Sequence, residues 1–346
     1  MSARVLMIDD SPAMRRLLAS RVRTAKNIEV VGMAGDPYEA RDKIAELQPN
    51  VLTLDIEMPR MNGLDFLRRL MRHHPIPTVV VSTLAGPRTA VAIEALQLGA
   101  VLALGKDEAK KPGVLADAIR SAHGANVSIL GVSRGRPPIR SGSPKVASSS
   151  KKCDVIAIGV STGGPHALAK VFADLPPGLP PIVVVQHMPA EFTAPLASRL
   201  NGLSAVNVSE AVHGRVLGRG EAVIAPGGRH LRIRKNGARV ITELSDDAEV
   251  EYHRPSVDVL FRSVARTKLN CLAIVMTGMG RDGASGLLAL RNAGALTLAQ
   301  DQATSLVYGM PQEAVKNGAA MSEVPLSRIA ETLARIAAGS TERKSA

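Results

Sequence analysis

Three residues of the types used in acyl transfer each follow an apolar, strand-like run after residue 153: Ser161, His187 and Asp282. A hydroxyl nucleophile needs an imidazole to take its proton and a carboxylate to fix the imidazole tautomer. Parallel strands bring their carboxyl ends to one edge of a sheet, so such residues can meet there. The order Ser-His-Asp differs from the Ser-Asp-His order of α/β-hydrolases, but triads occur in several orders. The three residues therefore predict a serine-dependent hydrolase site.

Each of these residues also has a simpler interpretation. The motif Gly159-x-Ser161-x-Gly163 fits a nucleophile elbow, and it also fits a turn that binds phosphate at a helix N-terminus. His187 can be a polar strand end, and Asp282 can cap a helix. Four further histidines are rival bases, although none directly ends so clear an apolar strand: His166, His213, His230 and His253.

A second set of reactive residues lies in the first 120 residues. Asp9 and Asp10 follow the first predicted strand, and Asp55 ends the third. With strand order 2-1-3-4-5 these two ends are neighbours, and their carboxylates repel one another unless a hard cation such as Mg²⁺ joins them. Ser82 ends the fourth strand and Lys106 follows the fifth, which adds a hydroxyl and an ammonium group. The set predicts a Mg²⁺-dependent phosphoryl-acceptor site, although each residue alone is commonly a cap.

Alternation of apolar runs with helical patterns predicts the elements that position both sets. Residues 1–122 show five strand–helix repeats, which predict a flavodoxin-like (βα)5 sheet with helices on both faces. Residues 153–346 are predicted to form a doubly wound, mainly parallel α/β sheet. The pair Asn236-Gly237 between alternating runs predicts an antiparallel hairpin within it. Residues 123–152 are rich in Gly, Ser, Pro, Arg and Lys, which predicts a flexible basic linker.

Composition bears on partners and compartment. The net charge of +12 points to nucleic acid, but six of the positive charges lie in the acid-free stretch 121–152, and aromatic residues make up only 2% of the chain. Cys153 and Cys271 are far apart and begin apolar runs, so we expect reduced core thiols. No apolar run approaches the ~18–20 residues of a spanning helix. We expect a cytoplasmic monomer with no nucleic-acid partner and no membrane insertion.

On the acidic and basic residues named above, residues 1–120 resemble the receiver domain of response regulators. The resemblance implies that Asp55 accepts a phosphoryl group from a histidine kinase. It implies that Asp9, Asp10 and Asp55 hold Mg²⁺, and that Ser82 and Lys106 contact the phosphoryl oxygens.

Two positions depart from the receiver pattern. Asp107 stands where proline usually follows the lysine, and Ala103 stands at the position of the aromatic switch residue. The groups needed for phosphorylation are all present, so these departures concern how the signal is relayed to the rest of the chain.

Residues 153–346 resemble the catalytic domain of the bacterial chemotaxis protein-glutamate methylesterases. The matching motifs are Gly-Val-Ser161-Thr-Gly-Gly-Pro, Gln-His187-Met-Pro, Arg254-Pro-Ser-Val-Asp-Val-Leu-Phe and Thr-Gly-Met-Gly-Arg-Asp282-Gly. The resemblance implies a triad of Ser161, His187 and Asp282. It also implies that Thr162 supports the site and that the backbone N–H of Met279 contributes to an oxyanion hole.

The same resemblance implies the substrate and the control. The substrate is a γ-glutamyl methyl ester on the cytoplasmic helices of methylated chemoreceptors, where particular glutamines are also deamidated, and the catalytic domain needs no cofactor. The unphosphorylated receiver is expected to cover the catalytic face. Two other classes remain open: a regulator with a DNA-binding output, disfavoured because no helix-turn-helix pattern follows residue 150, and a non-catalytic adaptor, disfavoured by the intact triad residues.

Overall fold

The structure is a computed structural model and describes residues 2–83, 90–127, 152–237 and 239–339. The chain divides into two compact units, Met1–Arg136 and Pro137–Ala346. Most of the predicted basic linker lies outside the described residues, so the linker and the exact domain boundaries stay predictions.

The first unit contains the predicted parallel sheet, with strand order β2-β1-β3-β4-β5. Its strands are β1 (Ala3–Ile8), β2 (Ile28–Ala34), β3 (Val51–Leu54), β4 (Thr78–Ser82) and β5 (Leu102–Gly105). Its helices are α1 (Pro12–Val22), α2 (Pro37–Leu47), α3 (Gly63–His73), α4 (Ala90–Gln97), α5 (Lys106–Ala109) and α6 (Val114–His123). Strands β3 and β4 are buried along their whole length, as expected of central strands covered on both faces.

Local sequence explains where this unit turns from strand to helix. The Ser11 hydroxyl accepts a hydrogen bond from the N–H of Met14, and Pro12 occupies the first helical position, so α1 begins directly after the acidic pair. The short helix α5 was not predicted. It starts at Lys106, and Asp107 and Glu108 in its first turn complement the helix dipole.

The second unit contains a seven-stranded sheet and a separate three-stranded sheet. Its strands are β6 (Val155–Val160), β7 (Ile182–Gln186), β8 (Asn207–Glu210), β9 (Val216–Leu217), β10 (Glu221–Ile224), β11 (His230–Asn236), β12 (Arg239–Ser245), β13 (Cys271–Val275), β14 (Leu296–Gln300) and β15 (Ser322–Val324). Its helices are α7 (Gly164–Ala173), α8 (Ala190–Leu203), α9 (Val257–Thr267), α10 (Ala284–Asn292), α11 (Met310–Lys316) and α12 (Leu326–Ala337).

The seven-stranded sheet is parallel throughout, in the order β15-β14-β13-β6-β7-β10-β8. The chain starts in the middle at β6, builds one side through β7, and later returns to build the other side from β13. The order of the strands therefore reverses between β6 and β13. Open α/β sheets bind ligands at the carboxyl ends of the strands at such a switch point. The predicted hairpin is confirmed as the antiparallel pair β11–β12, with Gly237 at a φ of +60°.

Alternate residues of β6 enter two hydrophobic cores. Ile156, Ile158 and Val160 pack on the side of α7 and α12, whereas Val155 and Ala157 pack on the side of α9 and α10. This burial on both faces holds β6 and its neighbours in place. It thereby fixes the positions of the residues that directly follow these strands.

Both cysteines are buried and free, as predicted. Burial raises the pKa of the Cys153 thiol to about 11 and that of Cys271 well above its ordinary value. Both thiols are therefore protonated at neutral pH and unreactive. Among the described helices, none combines the length and the apolar character that crossing a membrane requires.

Candidate active site

The carboxyl ends of β13, β6 and β7 meet at the switch point of the second unit. Register pairs Val160 with Gln186, and the N–H of His187 donates to the carbonyl of Val160 at 3.1 Å. On the other side, the N–H of Ser161 donates to the carbonyl of Thr277 at 3.0 Å. The backbone of Ser161 is thus held between the residues that leave the two neighbouring strands.

Glycines shape the turn that carries Ser161. Gly163 has a φ of +80°, and α7 begins at Gly164. A Cβ on Gly164 would overlap the side-chain oxygen of Gln186, and one on Gly159 would overlap Val257. Side chains from β7 and α9 thus pack so closely against this turn that both positions favour glycine, and a tight glycine turn of this kind is expected of a nucleophile elbow.

Gln186 ties the two strand ends together. Its Nε2 donates to the carbonyls of Ser161 and His187, at 3.0 Å each, and its Oε1 is buried without a hydrogen-bond partner among the described residues. One side-chain amide therefore fixes the backbone of both residues. This role of Gln186 was not predicted, although Gln186 belongs to the Gln-His187-Met-Pro motif and a polar residue that ends an apolar strand was the available signal.

His187 and Asp282 form a buried pair. His187 Nε2 lies 2.7 Å from Asp282 Oδ2, and His187 Nδ1 has no hydrogen-bond partner in the part of the chain that the structure describes. A carboxylate accepts only, so the proton belongs on Nε2 and the lone pair on Nδ1. Nδ1 is the atom available to act as a base.

Asp282 is also bound at the N-terminus of α9. The hydroxyl of Ser256 and the N–H of Asp258 donate to its Oδ1, at 2.8 and 3.0 Å, and the N–H of Val257 donates to its Oδ2 at 2.7 Å. Burial alone would raise the pKa of Asp282, but the hydrogen bonds from His187 and from this backbone outweigh it and lower that pKa below its ordinary value. The carboxylate is therefore ionised at neutral pH.

Ser256 was not predicted as part of the site. It also caps α9, since its hydroxyl accepts from the N–H of Val259. A serine directly before a helical pattern is a recognisable cap signal, but the contact with Asp282 depends on a tertiary fold that brings two segments 26 residues apart together.

The loop after β13 passes close to Ser161. A Cβ on Gly278 would lie 2.8 Å from the Cβ of Ser161, so the chain there must be glycine for the two backbones to approach. The hydroxyl of Thr277 donates to the carbonyl of Thr162 at 2.8 Å and accepts from the N–H of Val307 at 3.0 Å. Met279 follows on the exposed side of this loop. Thr162 is thus linked to the loop through its carbonyl oxygen.

Of the rival histidines, His253 lies in the site. Its ring stacks on that of His187, with centroids 3.8 Å apart and planes inclined by 18°. Burial lowers the pKa of His253, and the neighbouring His187 lowers it further. His230 instead contacts the carbonyl of Ala248 through Nε2, and its Nδ1 accepts from the N–H of Ser256. His213 Nδ1 contacts the backbone of Leu244.

In the first unit, the structure brings together all the acids of the predicted phosphoryl site. One carboxylate oxygen from each of Asp9, Asp10 and Asp55 lies within 4.8 Å of the others. Lys106 Nζ donates to Asp55 Oδ2 at 2.5 Å and lies 2.9 Å from Asp9 Oδ2. The geometry of that second contact is not that of a hydrogen bond, so Asp9 Oδ2 remains an unsatisfied buried acceptor within the described ranges. Ser82 pairs in register with Gly105, next to Lys106.

The electrostatics of this cluster fit a bound dication. Burial, assisted by the nearby charge of Asp55, raises the pKa of Asp9. Burial also opposes the charge on Lys106, but the hydrogen bond to Asp55 and the negative charges of Asp55 and Asp9 outweigh it and raise the pKa of Lys106. Three carboxylates thus face the ammonium group of Lys106, and Asp9 Oδ2 lacks a hydrogen-bond donor among the described residues. Hard oxygen ligands with excess negative charge are what Mg²⁺ prefers.

Comparison with known proteins agrees with the division of the chain into two units with different sites. Residues 156–333 match the family model described as CheB methylesterase, and residues 5–120 match that of the response regulator receiver domain. A protein-glutamate methylesterase/protein-glutamine glutaminase of Anaeromyxobacter dehalogenans is 45% identical, with 96% of this chain and 95% of that protein covered. One from Syntrophus aciditrophicus is 44% identical, with 96% and 98% covered.

A solved structure agrees as well. The CheB methylesterase catalytic domain of Thermotoga maritima is 36% identical, with a TM-score of 0.52, and the match covers 54% of this chain and all of that one. A receiver followed by this hydrolase fold defines the class: a response regulator whose output is an enzyme. The chain belongs to the CheB methylesterase family. The family match favours a methylesterase output over the DNA-binding and adaptor outputs considered from the sequence.

Proposed function

We propose that this enzyme hydrolyses γ-glutamyl methyl esters on the cytoplasmic helices of chemoreceptors, deamidates glutamines there, and is activated by phosphorylation. The names of its relatives support the reaction. The observation that carries the mechanism is the His187–Asp282 pair, which leaves Nδ1 without a hydrogen-bond partner among the described residues, at the strand end beside Ser161. We propose that the enzyme acts in the cytoplasm as a monomer.

Ester cleavage starts with proton transfer from Ser161 to His187. The Oγ of Ser161 attacks the ester carbonyl carbon while Nδ1 of His187 takes its proton, and Asp282 stabilises the resulting imidazolium through the Nε2–H. Backbone N–H groups at Met279 and at the start of α7 are the candidate donors to the oxyanion; one such donor typically contributes ~3–4 kcal/mol. The C–O bond breaks, and His187 protonates the leaving methoxide to give methanol.

The second half of the cycle releases the acyl group. Water loses a proton to Nδ1 of His187 and attacks the acyl-enzyme, which yields the glutamate carboxylate and restores Ser161. For a glutamine substrate the same steps release ammonia instead of methanol. In both cases the groups that act belong to the protein: a hydroxyl, an imidazole, a carboxylate and backbone N–H donors.

Activation begins at Asp55 in the first unit. We propose that Asp55 accepts a phosphoryl group from a histidine kinase, with Ser82 and Lys106 contacting its oxygens. Asp9, Asp10 and Asp55 would hold Mg²⁺, which when bound neutralises negative charge on the transferred group. Phosphorylation adds about −1.5 to −2 charge at neutral pH. A coupling of ~1–3 kcal/mol between phosphorylation and access of the substrate to Ser161 gives roughly 5–150-fold activation.

The direct test is release of methanol. Membranes carrying radiolabelled methylated chemoreceptors are incubated with the protein, with and without a small phosphodonor. The wild type should release labelled methanol, faster with the phosphodonor, and Ser161→Ala should release none while its circular dichroism is unchanged. Release by a folded Ser161→Ala protein, or none by the wild type, contradicts the proposal.

A further inference from the structure

A tight turn stands beside the paired histidines. Val250 and His253 close it with reciprocal backbone hydrogen bonds of 3.1 and 2.9 Å. The two central residues, Glu251 and Tyr252, have φ values of +52° and +63°. Positive φ at both central positions defines a type I′ turn, which favours Gly, Asn or Asp. Neither residue is of that kind, so the backbone of this turn is strained.

Contacts with the active site hold the turn in this conformation. Arg281 forms a bidentate ion pair with Glu251, with distances of 2.9 and 3.0 Å. The ring of His253 stacks on that of His187 at the other end of the turn. Arg281 directly precedes Asp282, so the turn is attached on both sides to residues next to or within the His187–Asp282 pair. Strain that is maintained by surrounding contacts is typical of functional sites.

The strained turn presents an aromatic side chain to solvent. Tyr252 is 92% exposed, and Met279, on the loop that also carries Arg281, is 52% exposed. Folding gains little by placing a tyrosine at this position, since its ring buries almost nothing. Large, rigid side chains exposed beside a reactive group are suited to contact with a partner protein.

We infer that Tyr252, together with Met279, contacts the protein that carries the ester, on the surface next to the bond to be cleaved. The inference rests on the proposed function. The substrate there is a side chain on a helix of the partner protein. Residues three and four positions away on that helix lie on the same face, so they approach Tyr252 and Met279. Tyr252 and Met279 would pack against aliphatic residues at those positions. Tyr252 thereby selects a helical protein ester over a small one.

The test compares two substrates in the full-length protein. The kcat/KM for methylated chemoreceptor membranes is divided by the kcat/KM for p-nitrophenyl acetate. We expect Tyr252→Ala to lower this ratio about tenfold, the size of one lost aromatic contact. Tyr252→Gly, which relieves the positive φ, should lower it equally and raise the thermal midpoint. Tyr252→Phe keeps the ring, and Leu203→Ala, at the far end of α8 and 44% exposed, is the matched control. Tyr252→Phe and Leu203→Ala should both keep the ratio of the two kcat/KM values within about twofold of the wild-type ratio.

Each outcome decides one point. A ratio that is unchanged in Tyr252→Ala overturns the inference. This includes the case in which both kcat/KM values fall equally, since an equal loss shows that the turn acts through His253 on the catalytic pair rather than on the partner. If the wild type hydrolyses p-nitrophenyl acetate and releases no methanol from the membranes, the proposed function fails instead.

Discussion

His187 is bound to Asp282 through Nε2, at 2.7 Å, and its Nδ1 lacks a hydrogen-bond partner within the described residues. In the chymotrypsin-type template the aspartate binds Nδ1–H and Nε2 acts as the base. In the mechanism that we propose, the two ring nitrogens therefore exchange these roles. This exchange follows from the fold, because Asp282 is held at the N-terminus of α9 and reaches the imidazole from that side.

The first prediction concerns Asp282→Asn. The amide cannot accept from all four present donors, and it no longer stabilises the imidazolium, so kcat should fall about 10³-fold or more. The catalytic fragment 153–346 should also lose about 1–3 kcal/mol of unfolding free energy at pH 7. Urea unfolding and methanol release measure the two effects, with the exposed Asp246→Asn as control.

The same pair sets a dependence of stability on pH. The folded pKa of Asp282 is lowered, so its stabilisation is complete above the unfolded value of about 4 and is lost as pH falls through the folded pKa. The stability gap between wild type and Asp282→Asn should therefore narrow below about pH 4. A gap that stays constant down to acid unfolding contradicts this account of the carboxylate.

The second prediction concerns Gln186→Met. Methionine fills a similar volume but cannot donate to the carbonyls of Ser161 and His187. We expect kcat to fall about tenfold or more, because small displacements of reacting groups are costly. KM should change little. Steady-state kinetics on the receptor membranes measures this, and Gln312→Met on the surface of α11 is the control. Unchanged kcat would show that strand pairing alone positions the two residues.

The third prediction is that Asp9→Asn stabilises the receiver at neutral pH. The pKa of Asp9 is raised in the folded state. The contribution of Asp9 to stability is therefore greatest below its unfolded-state pKa of about 4, and it falls as pH rises through the folded-state pKa. The variant lacks this loss and should be more stable at pH 7 by on the order of 1 kcal/mol.

Urea unfolding of residues 1–127 without metal tests this, and the gap should close at low pH. Added Mg²⁺ should stabilise the wild type more than Asp9→Asn, since it binds the folded cluster. Asp42→Asn, at an exposed position of α2, is the control. An Asp9→Asn receiver that is less stable at pH 7 in the absence of metal would contradict the pKa argument.

The fourth prediction concerns control by the receiver. Asp55→Ala should keep basal methanol release but lose the increase caused by a phosphodonor. Fragment 153–346 should release methanol at least as fast as the unphosphorylated full chain. A fragment that is much slower than the full chain would mean that the receiver assists catalysis rather than restraining it.

Much of the site was predictable because it depends on local pattern. Short strands that alternate with helices specify a doubly wound sheet, and Ser161, His187 and Asp282 each follow a strand or its loop. The hairpin was predictable from Asn236-Gly237 for the same reason.

The remainder depends on tertiary contacts. Strand β14 and the short strands β8, β9, β10 and β15 escaped prediction, the shorter ones because they span only two to four residues, some of them polar. The stacking of His253 on His187 and the bond from Ser256 to Asp282 join segments that no periodicity connects. The pairing of β13 with β6, and of β6 with β7, brings the loop that carries Asp282 close to His187.

The glycines around Ser161 have a genetic consequence. Every amino acid other than glycine has a Cβ, and a Cβ at Gly159, Gly164 or Gly278 collides with a neighbouring side chain or with Ser161 itself. No missense change at these codons is conservative. Spontaneous loss-of-function alleles should therefore include many that leave Ser161, His187 and Asp282 intact. The mutational target of the enzyme is larger than its proposed catalytic residues, and it includes the turns where the backbone packs directly against neighbouring side chains.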